Sequence, residues 1–293
     1  MNVAYIGNSP LAEAVIRRLV AQHRVDVFNP GRMGGMGTTI ARAATNLSKV
    51  SIRPDVLITC LRSPAEVREV LLGPEGFAQG LSARRIVIDQ TPGDPDQTRA
   101  IADKLREKGI VLVDAPIHCE QVEAFPETAA IMCGGAVDAV ESVRPILECI
   151  CPKVVYCGDT GNGHAAQLVT SAVAACNRLI TYECTAVGLK NGLAIEHMAV
   201  VLNKSSGFNS ASERVLPVLA TAPRTTDVPL AAVIEELKMA SRLGMKSGAP
   251  MLIANLARFI IESAAARIGA TATLDDLAPM FEVAAVVNPI EGH

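Results

Sequence analysis

The opening thirty residues constrain the fold more than any other stretch. Asn2-Val3-Ala4-Tyr5-Ile6 is a short apolar run, and Gly7-Asn8-Ser9-Pro10 is a turn. Residues 11–21 have amphipathic helical spacing, and residues 25–28 form a second apolar run. A strand, a glycine turn, a helix and a strand within this length read as a βαβ unit, whose two strands lie parallel and are covered on both faces. The alternation continues, with strand candidates at 56–60, 86–89, 111–113, 130–133 and 154–157. Helical patterns fall between several of them, at 64–72, 95–108 and 136–148. The class expected is α/β, a Rossmann-type doubly wound parallel sheet over residues 1–160.

From Gly163 the texture changes. Residues 165–189 form one long pattern rich in Ala and Val, and further helical patterns follow at 195–202, 210–219, 231–243, 250–266 and 274–287. With no strand expected after Cys157, residues 161–293 read as an all-α domain opened by a long interdomain helix. That helix is apolar nearly all round, so it should be buried in its own domain or against a second subunit.

Composition narrows the partners. Net charge is −3 and aromatic residues are 3% of the chain, with no Trp. A nucleic-acid binder would show a basic footprint and stacking platforms, and neither is present. No run approaches the ~18 apolar residues of a membrane span, and the start shows no signal-peptide pattern. The eight cysteines are scattered through helices and strands, which reads as reduced thiols in a cytoplasmic protein. Cys149, Cys151 and Cys157 lack a matching second pair or His pair, so no metal is expected.

The turn after the first strand carries the chemistry. A helix N-terminus there offers free N–H groups and a positive dipole end to a diphosphate. Of the three glycines in the dinucleotide fingerprint, Gly7 is kept, Ser9 holds the second position and Ala12 the third. The Ser9 Cβ pushes a diphosphate outward, while its hydroxyl is able to donate to a phosphate oxygen. Gly7, Asn8, Ser9, Pro10 and Leu11 are the candidate phosphate-side residues, although the turn alone reads equally as an ordinary strand–turn–helix. The second strand ends at Val27-Phe28-Asn29, about 20 residues on, where an acidic side chain would hold the ribose of NAD. Asn29 does not repel a 2′-phosphate and Arg32 is able to neutralise one, which leans toward NADP(H) over NAD(H). The bland alternative is a solvated arginine in the glycine-rich stretch 31–37.

On these residues the chain resembles the β-hydroxyacid dehydrogenase family, of the 3-hydroxyisobutyrate and 6-phosphogluconate dehydrogenase type. Residues 54–61 and 67–76 are similar to the family's third-strand region, where Leu61 and Arg62 would line the cofactor. Val113-Asp114-Ala115-Pro116-Ile117 resembles the entrance to its substrate loop, with Ala124 and Thr128 at matching positions. Gly158, Gly161 and Gly163 match the glycines that open the interdomain helix, and Leu202-Asn203-Lys204-Ser205-Ser206-Gly207 matches a turn of the helical domain. The resemblance implies hydride transfer between NAD(P) and a short β-hydroxy acid, in a homodimer or homotetramer assembled through the helical domain. It also implies an active site between the domains, with a Lys on the long helix as acid and base.

The chain departs from this pattern at the chemistry. The position of the lysine is Gln167, and that of the asparagine one turn on is Ser171, beside Thr170. Gln167 and Ser171 share a helix face, with His164 one turn earlier. Glutamine does not exchange a proton near neutral pH. The carboxylate-gripping Ser-Gly-Gly of the family is His118-Cys119-Glu120, and two later glycines are Glu123 and Glu127. This added negative charge argues against a simple anionic substrate; Glu120, Glu123 and Glu127 read first as a solvated face and second as a site for a cationic or imine substrate. The family's Lys-Asp pair falls near Ala231-Ala232, with Lys238 the nearest basic residue. Two readings remain. One is a reductase whose proton comes from His118, which titrates in the right range, or from His164. The other is a dinucleotide-binding protein without redox chemistry. A nucleophilic Cys119 is disfavoured, because the adjacent His118 points away in extended chain.

Overall fold

The computed structural model describes residues 1–28, 42–43, 54–74, 76–81, 84–122, 125–219 and 225–283. Asn29, Arg32, Glu123 and Ala124, with the glycine-rich stretch 31–37, lie outside them. The chain divides into two compact units, Met1–Gln167 and Leu168–His293.

The first unit is built on a six-stranded parallel sheet in the order β3-β2-β1-β4-β5-β6. These strands are β1 (Asn2–Gly7), β2 (Arg24–Phe28), β3 (Arg42–Ala43), β4 (Val56–Cys60), β5 (Ile86–Asp89) and β6 (Val111–Asp114). Successive side chains leave a strand on opposite faces, and the two cores follow that alternation. Tyr5, Ile58, Ile88 and Val113 pack on one face with Val15 and Ile16 of α1 (Pro10–Leu19) and Val143 and Leu147 of α4 (Val137–Ile150). Ala4, Leu57, Val87 and Leu112 pack on the other with Val67 and Leu71 of α2 (Pro64–Leu72) and Ile101 and Leu105 of α3 (Pro95–Arg106). Both faces are therefore apolar, which is why β4 is buried at all five positions. Helix α1 forms because Ala12, Val15, Ile16 and Leu19 recur at core spacing behind the Ser9 cap and Pro10.

Two strands expected in this sheet lie elsewhere. Residues 130–133 and the start of 154–157 form β8 (Ala130–Cys133) and β9 (Val154–Tyr156), in a second sheet with β7 (Ile117–His118). There β7 pairs antiparallel with β8, and β8 parallel with β9. An isolated bridge between Asp114 and Gly134 follows the end of β6.

The second unit is helical. Helix α5 (Asn162–Lys190) runs 29 residues, followed by α6 (Ile195–Asn203), α7 (Ser210–Arg214), α8 (Leu216–Leu219), α9 (Leu230–Ser247) and α10 (Leu252–Ile268). The single helix expected over 210–219 is broken into α7 and α8, and Leu274–Phe281 is a 3-10 segment. The core is made from small side chains, with Ala172 and Ala175 of α5, Ala240 of α9, and Ala254, Ala257 and Ala264 of α10 all buried among Leu179, Leu237 and Ile261.

A buried ion pair crosses this core. Arg178 Nη1 donates to Asp275 Oδ1 at 2.7 Å and to Thr225 Oγ1 at 2.7 Å, and both charged side chains are 3% exposed. The other Asp275 oxygen accepts from the Thr225 and Thr226 amides. Among the described residues no helix is long and apolar enough to cross a membrane.

Candidate functional site

The turn from β1 to α1 is shaped by contact with β4. Gly7 sits in register with Cys60, and a Cβ on Gly7 would lie 2.6 Å from the Cys60 carbonyl oxygen and 3.2 Å from the Ala12 Cβ. The position therefore requires glycine, and the residue one helical turn on must stay small. Ser9 Oγ caps α1 by accepting from the Ala12 amide at 3.1 Å, and it stands 4.0 Å from the Cys60 sulfur. Burial pushes the Cys60 thiol up, so it stays protonated. When that thiol donates to Ser9, the serine proton is left for a ligand oxygen. Pro10 brings no N–H, and the Ala12 amide is taken by Ser9, so Leu11 carries the remaining donor at the helix start. Replacing Ser9 by Ala should cost about 1 kcal/mol of stability through the lost cap and also weaken dinucleotide binding. Denaturant melts and a cofactor titration of the variant measure the two effects separately.

Strand order adds the second constraint. The chain runs from β1 to β2 on one side and returns to β4 on the other, so the sheet reverses between β1 and β4. Ligands of open α/β sheets bind outside the carboxyl ends of the strands at such a reversal. Here those ends are Gly7 and Cys60-Leu61. The buried Leu61 is fixed by its amide donating to Thr91 Oγ1 at 2.9 Å, while the exposed Arg62 pairs with Glu66 at 3.2 Å. Asn8 is exposed beside the turn. A glycine turn, a capped helix start and a switch point together fit a dinucleotide diphosphate.

The start of α5 is organised by Asp114, which is fully buried at the end of β6. Its carboxylate accepts from the Gly161 amide at 2.7 Å and the His164 amide at 2.9 Å, satisfying donors that the helix start leaves open. Glycines are required here. Gly161 has φ +92°, and a Cβ on Gly163 would meet the Met132 and Asp114 carbonyl oxygens at 2.5 and 2.7 Å. The His164 imidazole is fully buried, with Nε2 2.7 Å from the Thr91 carbonyl and Nδ1 2.8 Å from Thr98 Oγ1. Both ring nitrogens are engaged by residues of the first unit, to which His164 itself belongs, and this argues against His164 as the proton donor.

Farther along α5, Gln167 is 3% and Ser171 8% exposed, and Thr170 is half-buried. Glu236 of α9 is half-buried beside the buried Val233 and Leu237, and burial raises its carboxyl above the ordinary range. Ala231 and Ala232, near which the Lys-Asp pair of the resembled family falls, lie in the first turn of the same helix. His118 ends β7, half-buried, opposite Ala130. The Cys119 thiol donates to the Gln121 carbonyl at 3.2 Å, and Glu120 is half-buried. Among the described residues no cluster of His, Cys, Asp or Glu is placed to hold a metal.

The strand order and the turn define an NAD(P)-binding protein of the Rossmann class. Residues 2–158 match the family described as the NAD binding domain of 6-phosphogluconate dehydrogenase, and residues 161–281 that described as the NAD-binding of NADP-dependent 3-hydroxyisobutyrate dehydrogenase. The chain belongs to the β-hydroxyacid dehydrogenase family. It is 29% identical over 217 residues to 2-(hydroxymethyl)glutarate dehydrogenase of Eubacterium barkeri, covering 73% of this chain and 72% of that protein. Two solved structures share the fold. The 3-hydroxyisobutyrate dehydrogenase of Mycobacterium tuberculosis, solved with L-serine, has a TM-score of 0.80 at 21% identity, covering 95% of this chain and 98% of that one. An imine reductase from Myxococcus stipitatus, solved with NAD+, has a TM-score of 0.60 at 15% identity, covering 96% and 99%.

Proposed function

We propose that the protein is an NAD(P)-dependent oxidoreductase that reduces a small carbonyl or imine, or oxidises the corresponding alcohol or amine, with a proton donor other than lysine. The observation that carries this reading is the β1–α1 turn, where Gly7 lies against Cys60 and Ser9 Oγ caps α1 beside the Cys60 sulfur. When bound, the cofactor supplies or accepts the hydride. The chain's own groups hold and orient the reactants. Ser9 and Leu11 donate to the diphosphate, Leu61 presents an apolar wall, and Gln167 polarises a carbonyl without transferring a proton.

Arg32 and Asn29 support NADP(H) over NAD(H), with the guanidinium meeting the 2′-phosphate. Titration followed by reduced-nicotinamide fluorescence tests this. Arg32→Ala should weaken NADPH binding by about tenfold, the worth of one charge-assisted contact, and leave NADH binding unchanged. No binding of either cofactor at millimolar concentration would overturn the oxidoreductase reading. Substrate binding is assigned to His118, Cys119, Glu120, Gln167, Thr170 and Ser171. A screen of aldehydes, β-keto acids and cyclic imines with NADPH tests turnover. Cofactor binding with no NADPH oxidation across that screen would favour a non-redox dinucleotide-binding protein.

We place the dinucleotide domain at residues 1–160 and the helical domain at 161–293, in a cytoplasmic protein whose eight cysteines are all free thiols. Assembly as a homodimer or homotetramer through the helical domain is supported by its exposed apolar residues. Val169, Val173, Ile180 and Val187 form one stripe along α5, each more than half exposed, and Leu252, Leu256 and Phe259 form another along α10.

A further inference from the structure

We propose that the side-chain amide of Gln90 holds the nicotinamide ring of the cofactor, by donating from Nε2 to the carbonyl oxygen of the ring's carboxamide. The inference rests on the oxidoreductase reading and assigns one contact within it. Gln90 follows β5 at the carboxyl end of the sheet and is 2% exposed. Its Oε1 accepts from the Tyr5 hydroxyl at 3.3 Å. Burial holds that phenol well above its ordinary range, so it keeps the proton it donates. With Oε1 taken by Tyr5, Nε2 is the end of the amide left over, and it is buried with no hydrogen-bond partner among the described residues.

A buried amide donor without an acceptor is destabilising, and native proteins keep few of them. Packing does not demand one here. Cys60, Ile88 and Ala115 on the same face of the sheet are buried and apolar, and an apolar side chain at position 90 would bring no unmet donor among them. The backbone around Gln90 is also fixed. Its amide donates to the Thr59 carbonyl at 2.7 Å, the Thr91 amide to Asp89 Oδ1 at 3.0 Å, and the Leu61 amide to Thr91 Oγ1 at 2.9 Å. An unmet donor on a rigid frame is preorganised for an acceptor carried by a ligand.

Position says which part of the cofactor this donor meets. Gly7 pairs with Cys60, Thr59 with Asp89, and Asp89 with Asp114. The ladder runs one residue further, since the Ala115 amide donates to the Asp89 carbonyl at 2.7 Å. Gly7, Cys60, Gln90 and Ala115 therefore make a row across the carboxyl end of the sheet. The diphosphate belongs at the Gly7 end of that row, and β2, where the adenosine ribose is expected, lies on the other side of β1. The remaining half of the dinucleotide then runs over β4 to β5, two strand spacings or about 10 Å from β1. That half offers ribose hydroxyls and a carboxamide, and the carboxamide carbonyl is the stronger acceptor for a neutral amide donor. Because Nε2 is closed to water, the side chains over it must part when cofactor binds.

The test compares a cofactor with the same molecule lacking nicotinamide, NADPH with 2′-phospho-ADP-ribose and NADH with ADP-ribose, on the full chain. The pair that binds more tightly is used. Gln90→Met keeps the length of the side chain and removes the donor. Calorimetric titration should show the intact cofactor weakened about 3–10-fold in Gln90→Met, the net worth of one hydrogen bond, and the truncated compound bound as by wild type. Nuclear magnetic resonance of wild type labelled with 15N-glutamine reads the contact directly. The side-chain amide pair missing from Gln90→Met should shift with the intact cofactor and stay in place with the truncated one. Gln90→Asn, which draws the amide back, assigns the same pair if Gln90→Met does not fold. Equal weakening of both compounds, undiminished cofactor binding by Gln90→Met, or wild type holding both compounds equally overturns the proposal. So does an amide pair that moves with both compounds or with neither. Failure of the wild type to bind any of the four compounds defeats the oxidoreductase reading itself, a distinct result.

Discussion

Arg178→Met should destabilise the protein by about 3–5 kcal/mol, because it leaves the Asp275 carboxylate buried without its cation. The two side chains are each 3% exposed and bonded at 2.7 Å, so water cannot replace the missing partner. The backbone amides of Thr225 and Thr226 would still bond to Asp275, which keeps the loss finite. Removing both charges, as Arg178→Met with Asp275→Leu, should recover part of the loss. The recovery should stay partial, because those two amides then lose their acceptor. Urea unfolding of the single and double variants, analysed as a double-mutant cycle, measures the coupling. No loss in Arg178→Met, with equal losses in Asp275→Leu and the double variant, would mean that the amide bonds to Asp275, and not the ion pair, carry the stability.

Asp114→Ala should cost about 2–5 kcal/mol, the sum for two buried amides, Gly161 and His164, left without an acceptor. The effect should extend to function, because the same bonds hold the first turn of the helix that carries Gln167 and Ser171. Asp114→Asn is the informative companion. Its amide oxygen is able to accept one of the two N–H groups, while its NH2 confronts the other, so it should fall between wild type and alanine. Thermal melts and hydrogen exchange at the start of α5 check the order. Alanine and wild type melting together would show that the bridge between Asp114 and Gly134 fixes this corner by itself.

Most of the first unit was legible because its strands are buried on both faces and its helices repeat at core spacing. Strands of two residues were not, since β3 and β7 are too short to show a period. Nor does an apolar run say which sheet it joins. Residues 130–133 read like those of β5, yet β8 pairs with β9 and β7. The glycines at 161 and 163 were legible as a pattern, but their reason is tertiary. Only the structure puts the Asp114 carboxylate and the Met132 carbonyl where side chains would otherwise go.

The alanine-rich core of the helical unit implies an asymmetry in how this half of the protein tolerates change. Truncating mutations remove little where Ala172, Ala175, Ala240, Ala254, Ala257 and Ala264 already lack side-chain bulk. Enlarging any of them adds volume to a core in which these positions are already buried. Drift in this region should therefore be limited by excess volume and not by cavities, and variation should collect on the outward faces of the same helices.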